Sequence, residues 1–214
     1  MTSLNEFDVS FAPEIPLTIA GTGRQIAKDD EFLINLVLAI QASLISLLEE
    51  TNLFGGQDHY LRYLQIYRQF CLHLHPAYLS PSLQPHFNEI DNGPLVTSLT
   101  WDLSDLTGKP PPDLRSMQPS LLTAKAPTAL GWILVAEVVE AFSPLFCARA
   151  NLIGFDQNFG AIHLHRNTRE AQARWRRVFV AAQKVIEADC NHSELREAVF
   201  QAMHRLKLLM AATS

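Results

Sequence analysis

The sequence predicts an all-α, multi-helical single domain. Three observations carry that expectation. Apolar residues recur at helical spacing through long segments, those segments are bounded by capping residues, glycines and prolines, and no stretch shows the strict alternation of a half-buried strand. The chain has 214 residues, 48% of them hydrophobic, enough to bury one sizeable core.

Residues 1–28 contain Pro13, Pro16, Gly21 and Gly23 and show no sustained period, so they are expected to form an extended N-terminal arm ahead of a helical domain over 29–214. Asp29 or Asp30 is placed to cap a first helix ending near Thr51. After Gly55-Gly56, Asp58 is placed to cap a second helix. Its Tyr60, Leu64, Tyr67, Cys71 and Leu74 alternate four- and three-residue spacing and so share one face. Pro76, Pro81 and Pro85 interrupt the chain, and Asn92-Gly93-Pro94 forms a turn into a helix over Leu95–Leu106 that stops at Gly108. A long helix is expected from Pro127 to Ile153, ended by Gly154. Asn167 with Glu170, and Asn191 with Glu194, have capping-box spacing and predict the starts of the last two helices.

Composition removes several function classes. The net charge is −5 and no Lys/Arg block is present, so nucleic acid is not an expected partner. Cys71, Cys147 and Cys190 form no CxxC pair, consistent with free thiols in a reducing cytoplasm. The N-terminus lacks a signal-peptide pattern. Phe32–Leu48 is the one apolar run near membrane length. It is interrupted by Asn35, Gln41, Ser43 and Ser46 and flanked by acidic residues, so it reads as a core helix and no membrane partner is expected. His73/His75 and His163/His165 are spaced i, i+2, which on a helix points them apart, and no Glu-x-x-His exists for a di-iron site. No metal site is expected. A structural hydrogen bond is the expected role of His163.

The stretch Thr128–Phe179 carries the most specific pattern. It contains TALGWILVAEVVEAF, then IGFDQNFGAIHLH, then RWRRVF. These resemble the ALGxLYVxEGSxLGG, LGLxxxFGARHL and HWRxF segments of bacterial, biliverdin-producing heme oxygenases. Gly131, Glu137, Phe159, Gly160, His163, Trp175 and Arg176 fit that pattern, and Phe179 falls one position late. Leu99–Leu114 resembles the family's DLxxLG segment, and the resemblance extends over about residues 36–190.

The resemblance implies a heme-oxygenase-like fold, heme as substrate or ligand, and an oxidoreductase activity: O2- and reductant-dependent cleavage of heme to biliverdin, iron and carbon monoxide. It also implies positions for the chemistry. Gln41 stands where the family's first helix carries the axial histidine, and no His occurs in residues 1–58. Val138 and Phe142 stand at the two distal-helix glycines, beside Glu137. Arg176 matches a propionate-binding position, with Arg174 and Arg177 as neighbours. Pro144 can keep a bend in the distal helix without glycine. Because Gln41, Val138 and Phe142 each remove a group that the heme chemistry uses, a second expectation stands beside the first. It is a non-catalytic protein on the same fold, binding a small apolar ligand in a cavity near Glu137 and Glu140, or serving in interactions.

Overall fold

The protein is described by a computed structural model covering residues 28–109, 121, 123–188 and 191–211. Eight helices occur among these residues: α1 (Lys28–Thr51), α2 (Gln57–Tyr78), α3 (Gln84–Phe87), α4 (Gly93–Thr107), α5 (Ala126–Ala141), α6 (Ser143–Leu152), α7 (Ile162–Glu187) and α8 (His192–Ala211). The described residues contain no strand, only isolated bridges within the turn at Asp156–Gly160. The fold is all-α, consistent with a heme-oxygenase-like arrangement. The proposed arm, apart from Lys28, which opens α1, and the proline spacer at 110–112 lie outside the described residues, as does Cys190.

Helix α5 is the axis of the domain. Of its sixteen residues, only Ala126 and Thr128 are not buried. A helix that is apolar all round has to be enclosed on every side. It packs most extensively along α8 and also contacts α7, α2, α1 and α6. Gly131 sets the α5–α8 distance. A Cβ there would stand 2.6 Å from the Ala198 Cβ and 2.9 Å from the Val199 backbone nitrogen. Helix α1 is long and apolar enough to cross a membrane by length and composition alone. In this structure its Leu33, Val37, Ile40, Leu44 and Leu48 are buried in the common core.

Several sequence expectations change. Pro76 does not interrupt the chain but lies inside α2, and Asp29 and Asp30 lie within the first turn of α1 and not at its cap. Asp58 lies in the first turn of α2, while Gly56 holds the N-cap position. The residues between Pro81 and Ile90 include a short helix, α3, that the sequence pattern did not show. The expected Pro127–Ile153 helix is two helices, α5 and α6, meeting at 47°. Phe142 at the junction has φ −83° and ψ 0°, and Pro144 opens α6. The proline has no N–H and clashes with the carbonyl four residues back, which breaks the hydrogen-bond ladder there.

A further change is at α7, which begins at Ile162, so Asn167 lies inside the helix and not at its cap. The cap comes from another helix. The Asp102 carboxylate on α4 accepts the Ile162 N–H at 2.7 Å and the His163 N–H at 3.0 Å. At α8 the expected cap is present: Asn191 Oδ1 accepts the N–H groups of Ser193 and Glu194 at 3.0 and 3.2 Å.

The Gly131 contact yields a test in which the sign matters. In an open helix Gly→Ala stabilises by about 1 kcal/mol. Here Gly131→Ala should instead destabilise by about 1–3 kcal/mol through overpacking. Adding Ala198→Gly should recover only part of the loss, because the Val199 backbone remains in the way. An unchanged or raised melting temperature for Gly131→Ala would show that α5 and α8 do not approach this closely.

Candidate functional site

All four tyrosines of the chain lie on α2, and all are buried. Three of them, Tyr60, Tyr63 and Tyr67, stack successively, with ring centroids 5.8 and 5.7 Å apart. Each hydroxyl faces a different polar group. Tyr60 donates to the Gly160 carbonyl at 2.9 Å. The Tyr63 hydroxyl faces His163 Nε2 at 3.4 Å. Tyr67 donates to the Glu140 carboxylate on α5, and Tyr78 donates to Glu137 at 2.6 Å.

Glu137 and Glu140 are buried on the central helix, and burying a carboxylate is costly unless it is paired and hydrogen-bonded. Arg174 on α7 meets Glu137 with two donors, Nε at 2.8 Å from Oε2 and the terminal nitrogen at 2.5 Å from Oε1. The same guanidinium donates to the Asp91 carbonyl at 3.0 Å, tying the loop before α4 to the pair. Burial disfavours the charge on Arg174, but Glu137 outweighs it and holds the guanidinium above its ordinary range.

At the other end of the row, His163 is wholly buried. Its Nδ1 is 2.6 Å from Asp102, the carboxylate that also caps α7. With Nδ1–H donated to Asp102, Nε2 is left to accept from Tyr63. His163 thus has the structural hydrogen bond expected of it. The tyrosine hydroxyls themselves are held above their usual range. Burial is the largest cause for all four; Asp102 adds to it at Tyr60, Glu140 at Tyr63, Cys71 and Glu140 at Tyr67, and Glu137 at Tyr78.

A cavity of about 220 Å3 adjoins the two glutamates, between α5, α7 and the start of α4. Arg166, Arg174 and Arg177 line it together with Glu89, Asp91, Glu137 and Glu140, so its wall is charged where the sequence led to an apolar one. Trp175 also lines it, and the buried Trp175 Nε1–H has no hydrogen-bond partner.

No family model matches the chain. It is 27% identical over 121 residues to heme oxygenase PigA of Pseudomonas aeruginosa, a match covering 56% of this chain and 60% of that protein. The chain is similar to a heme oxygenase. The similarity spans about three-fifths of the relative's length, and it agrees with the all-α architecture.

The residues placed by the heme-oxygenase resemblance are found as follows. Gln41 is 6% exposed on α1. Val138 is fully buried on α5, next to Glu137. Phe142 is 2% exposed at the α5–α6 junction and stacks on Phe146 with centroids 6.1 Å apart. Arg176 is exposed on α7 and lines an open groove with Val180 and Lys184, away from Glu137. The α7 arginine that enters the core is Arg174, two positions earlier and therefore on another face. Among the described residues no three His, Cys, Asp or Glu side chains are grouped to hold a metal.

The sequence reading missed Asp102, Tyr63 and Tyr78. One signal was available: Tyr60, Tyr63 and Tyr67 fall within a single predicted amphipathic segment, whereas Tyr78 lies beyond Pro76. Asp102 gave none, because its partners are sixty residues away in sequence.

Two tests follow from this geometry. Arg174→Met strands a buried carboxylate and should cost about 3–5 kcal/mol, whereas Arg174→Met/Glu137→Met should recover most of that loss. Urea unfolding checks this, and a single variant no weaker than the double would show that Glu137 is not charged and buried. The second test is alkaline. A tyrosine raised in the folded state contributes stability that is whole below the unfolded value near 10 and is lost as pH rises above it. Phenolate absorbance should therefore stay low at about pH 11 and then rise together with loss of helix. Half-ionisation near pH 10 with the helix intact would place the tyrosines in solvent.

Proposed function

We propose that this chain is a heme-oxygenase-like protein that does not cleave heme at the family's site. In this reading it acts as a binding protein for a small polar ligand at the cavity beside Glu137 and Glu140. The observation that carries it is the packing at the three positions where the resemblance places the heme chemistry. Gln41, Val138 and Phe142 are buried side chains of the core, and α1 carries no histidine. An amide oxygen is a poor axial ligand for iron, for which haem proteins use imidazole, thiolate, thioether or phenolate. Valine and phenylalanine fill space that glycine leaves free for close backbone approach.

His163, the buried histidine nearest in kind to an axial ligand, already has both ring nitrogens engaged. The cavity near the glutamates, at about 220 Å3, is below the roughly 300–1,000 Å3 of common small-molecule pockets and far more charged than they are. A compact, multiply hydrogen-bonding ligand suits that wall better than a porphyrin does. The free thiols Cys71 and Cys147 fit a reducing, cytoplasmic setting for this function.

A second reading, heme binding and cleavage with a rearranged ligand set, is favoured by the similarity to heme oxygenase PigA. Absorption spectroscopy separates the two. The purified protein should be colourless, and one equivalent of added hemin should keep the spectrum of free hemin, with no biliverdin formed on adding reductant and O2. A sharp Soret band at one equivalent that survives gel filtration and disappears in His163→Ala would replace the first reading with the second.

A further inference from the structure

Most of the charged groups around the cavity beside Glu137 are already engaged. Arg174 and Glu137 offset one another, and the Glu140 carboxylate accepts from Tyr67. The Asp91 carboxylate accepts the Gly93 N–H at 2.9 Å and lies 3.9 Å from His75. Three charged residues of the lining remain: Arg166 and Arg177 on α7, and Glu89 in the turn between α3 and α4. Among the described residues none of the three enters an ion pair, and all are exposed. A further group comes from the interior. Trp175 lines the same cavity, is 3% exposed, and its Nε1–H has no acceptor. A buried donor without an acceptor is costly, and an acceptor supplied by a ligand removes that cost.

These groups select the charge of an occupant. A simple anion answers Trp175, Arg166 and Arg177 but is repelled by Glu89. A simple cation answers Glu89 but leaves the indole donor unmet and faces two arginines. A molecule that carries both charges answers all of them, through charge-assisted hydrogen bonds at each end. Size points the same way. At about 30 Å3 per water, a cavity of about 220 Å3 has room for about seven water-sized atoms.

Resting on the reading of this cavity as a polar-ligand site, we infer that its ligand is a small zwitterion, an α-amino acid with a short side chain. The carboxylate accepts from the Trp175 N–H and from the guanidinium groups at the α7 rim. The ammonium donates to Glu89. Arg174 keeps its bonds to Glu137 and to the Asp91 carbonyl, and so holds the α5, α7 and loop walls in place around the ligand.

The probes are L-serine and its two single-charge counterparts, 3-hydroxypropionate and ethanolamine, titrated into the full chain by calorimetry. L-Serine should bind saturably at one equivalent, at least about tenfold tighter than either counterpart, the gain expected from one more charge-assisted hydrogen bond. Glu89→Gln should bring L-serine down to the affinity of 3-hydroxypropionate. Arg166→Gln/Arg177→Gln should weaken both of these and leave ethanolamine no weaker. Trp175→Phe, which removes the N–H and keeps an aromatic ring, should weaken L-serine by about tenfold. Arg176→Gln, exposed in the neighbouring groove, should change nothing. No saturable binding of L-serine, or a counterpart that binds as tightly, would overturn the zwitterion, as would unchanged L-serine affinity in Glu89→Gln. Should Trp175→Phe not fold, the variants at the exposed positions 89, 166 and 177 decide. The reading beneath the proposal fails separately, on a sharp Soret band at one equivalent of hemin.

Discussion

The structure depends on how a helix buried on every side carries two carboxylates. Helix α5 is enclosed by α8, α7, α2 and α1, yet Glu137 and Glu140 sit among its valines and alanines. A carboxylate there is tolerated only if neighbouring helices supply donors. Two helices do so. Helix α2 contributes Tyr67 and Tyr78, and α7 contributes the Arg174 fork. That requirement fixes the rotation of α2 and of α7 about their axes, because a turn of either would strand a charge. The same row of stacked tyrosines continues to His163 and Asp102, so ring stacking and hydrogen bonds together register α2, α4, α5 and α7.

The junction of α5 and α6 is a 47° bend made without glycine. Pro144 breaks the backbone ladder, and Phe142, buried at the junction, stacks on Phe146. Phe146 in turn lies 5.2 Å from Phe54, which is 5.3 Å from Tyr63. The aromatic packing that closes this region is therefore continuous with the tyrosine row.

The described cavity draws its character from the same pairings. Its wall contains both members of the Glu137–Arg174 pair, and the Trp175 N–H beside it is left without an acceptor. Hydrophobic patterning cannot reveal such a place, since it counts these positions only as polar interruptions of an apolar face. The contacts of Cys147 and Asn151 with His165 are equally invisible in one dimension. The sequence drew attention to His165 through its spacing from His163, and the two rings point into different surroundings.

What the sequence determined by itself was the local order. Periodicity marked α2, an apolar run marked α1, the turn at Asn92–Pro94 and the glycine at 108 bounded α4, and Asn191 capped α8, because each of these features is settled locally along the chain. Gln41, Val138 and Phe142 could be read as departures from a family pattern, and their burial agrees with residues that fill a core. Tertiary structure decided the rest. The start of α7 was misplaced by five residues, from Ile162 to Asn167, because its cap is the side chain of Asp102, sixty residues earlier in the chain. The choice of Arg174 over Arg176 as the partner of Glu137 depends on which face α7 turns toward α5, and a run of arginines at 174, 176 and 177 does not specify that. Interactions closed by the chain's own neighbours are legible from the sequence, whereas those closed between helices far apart in sequence exist only once the helices have packed.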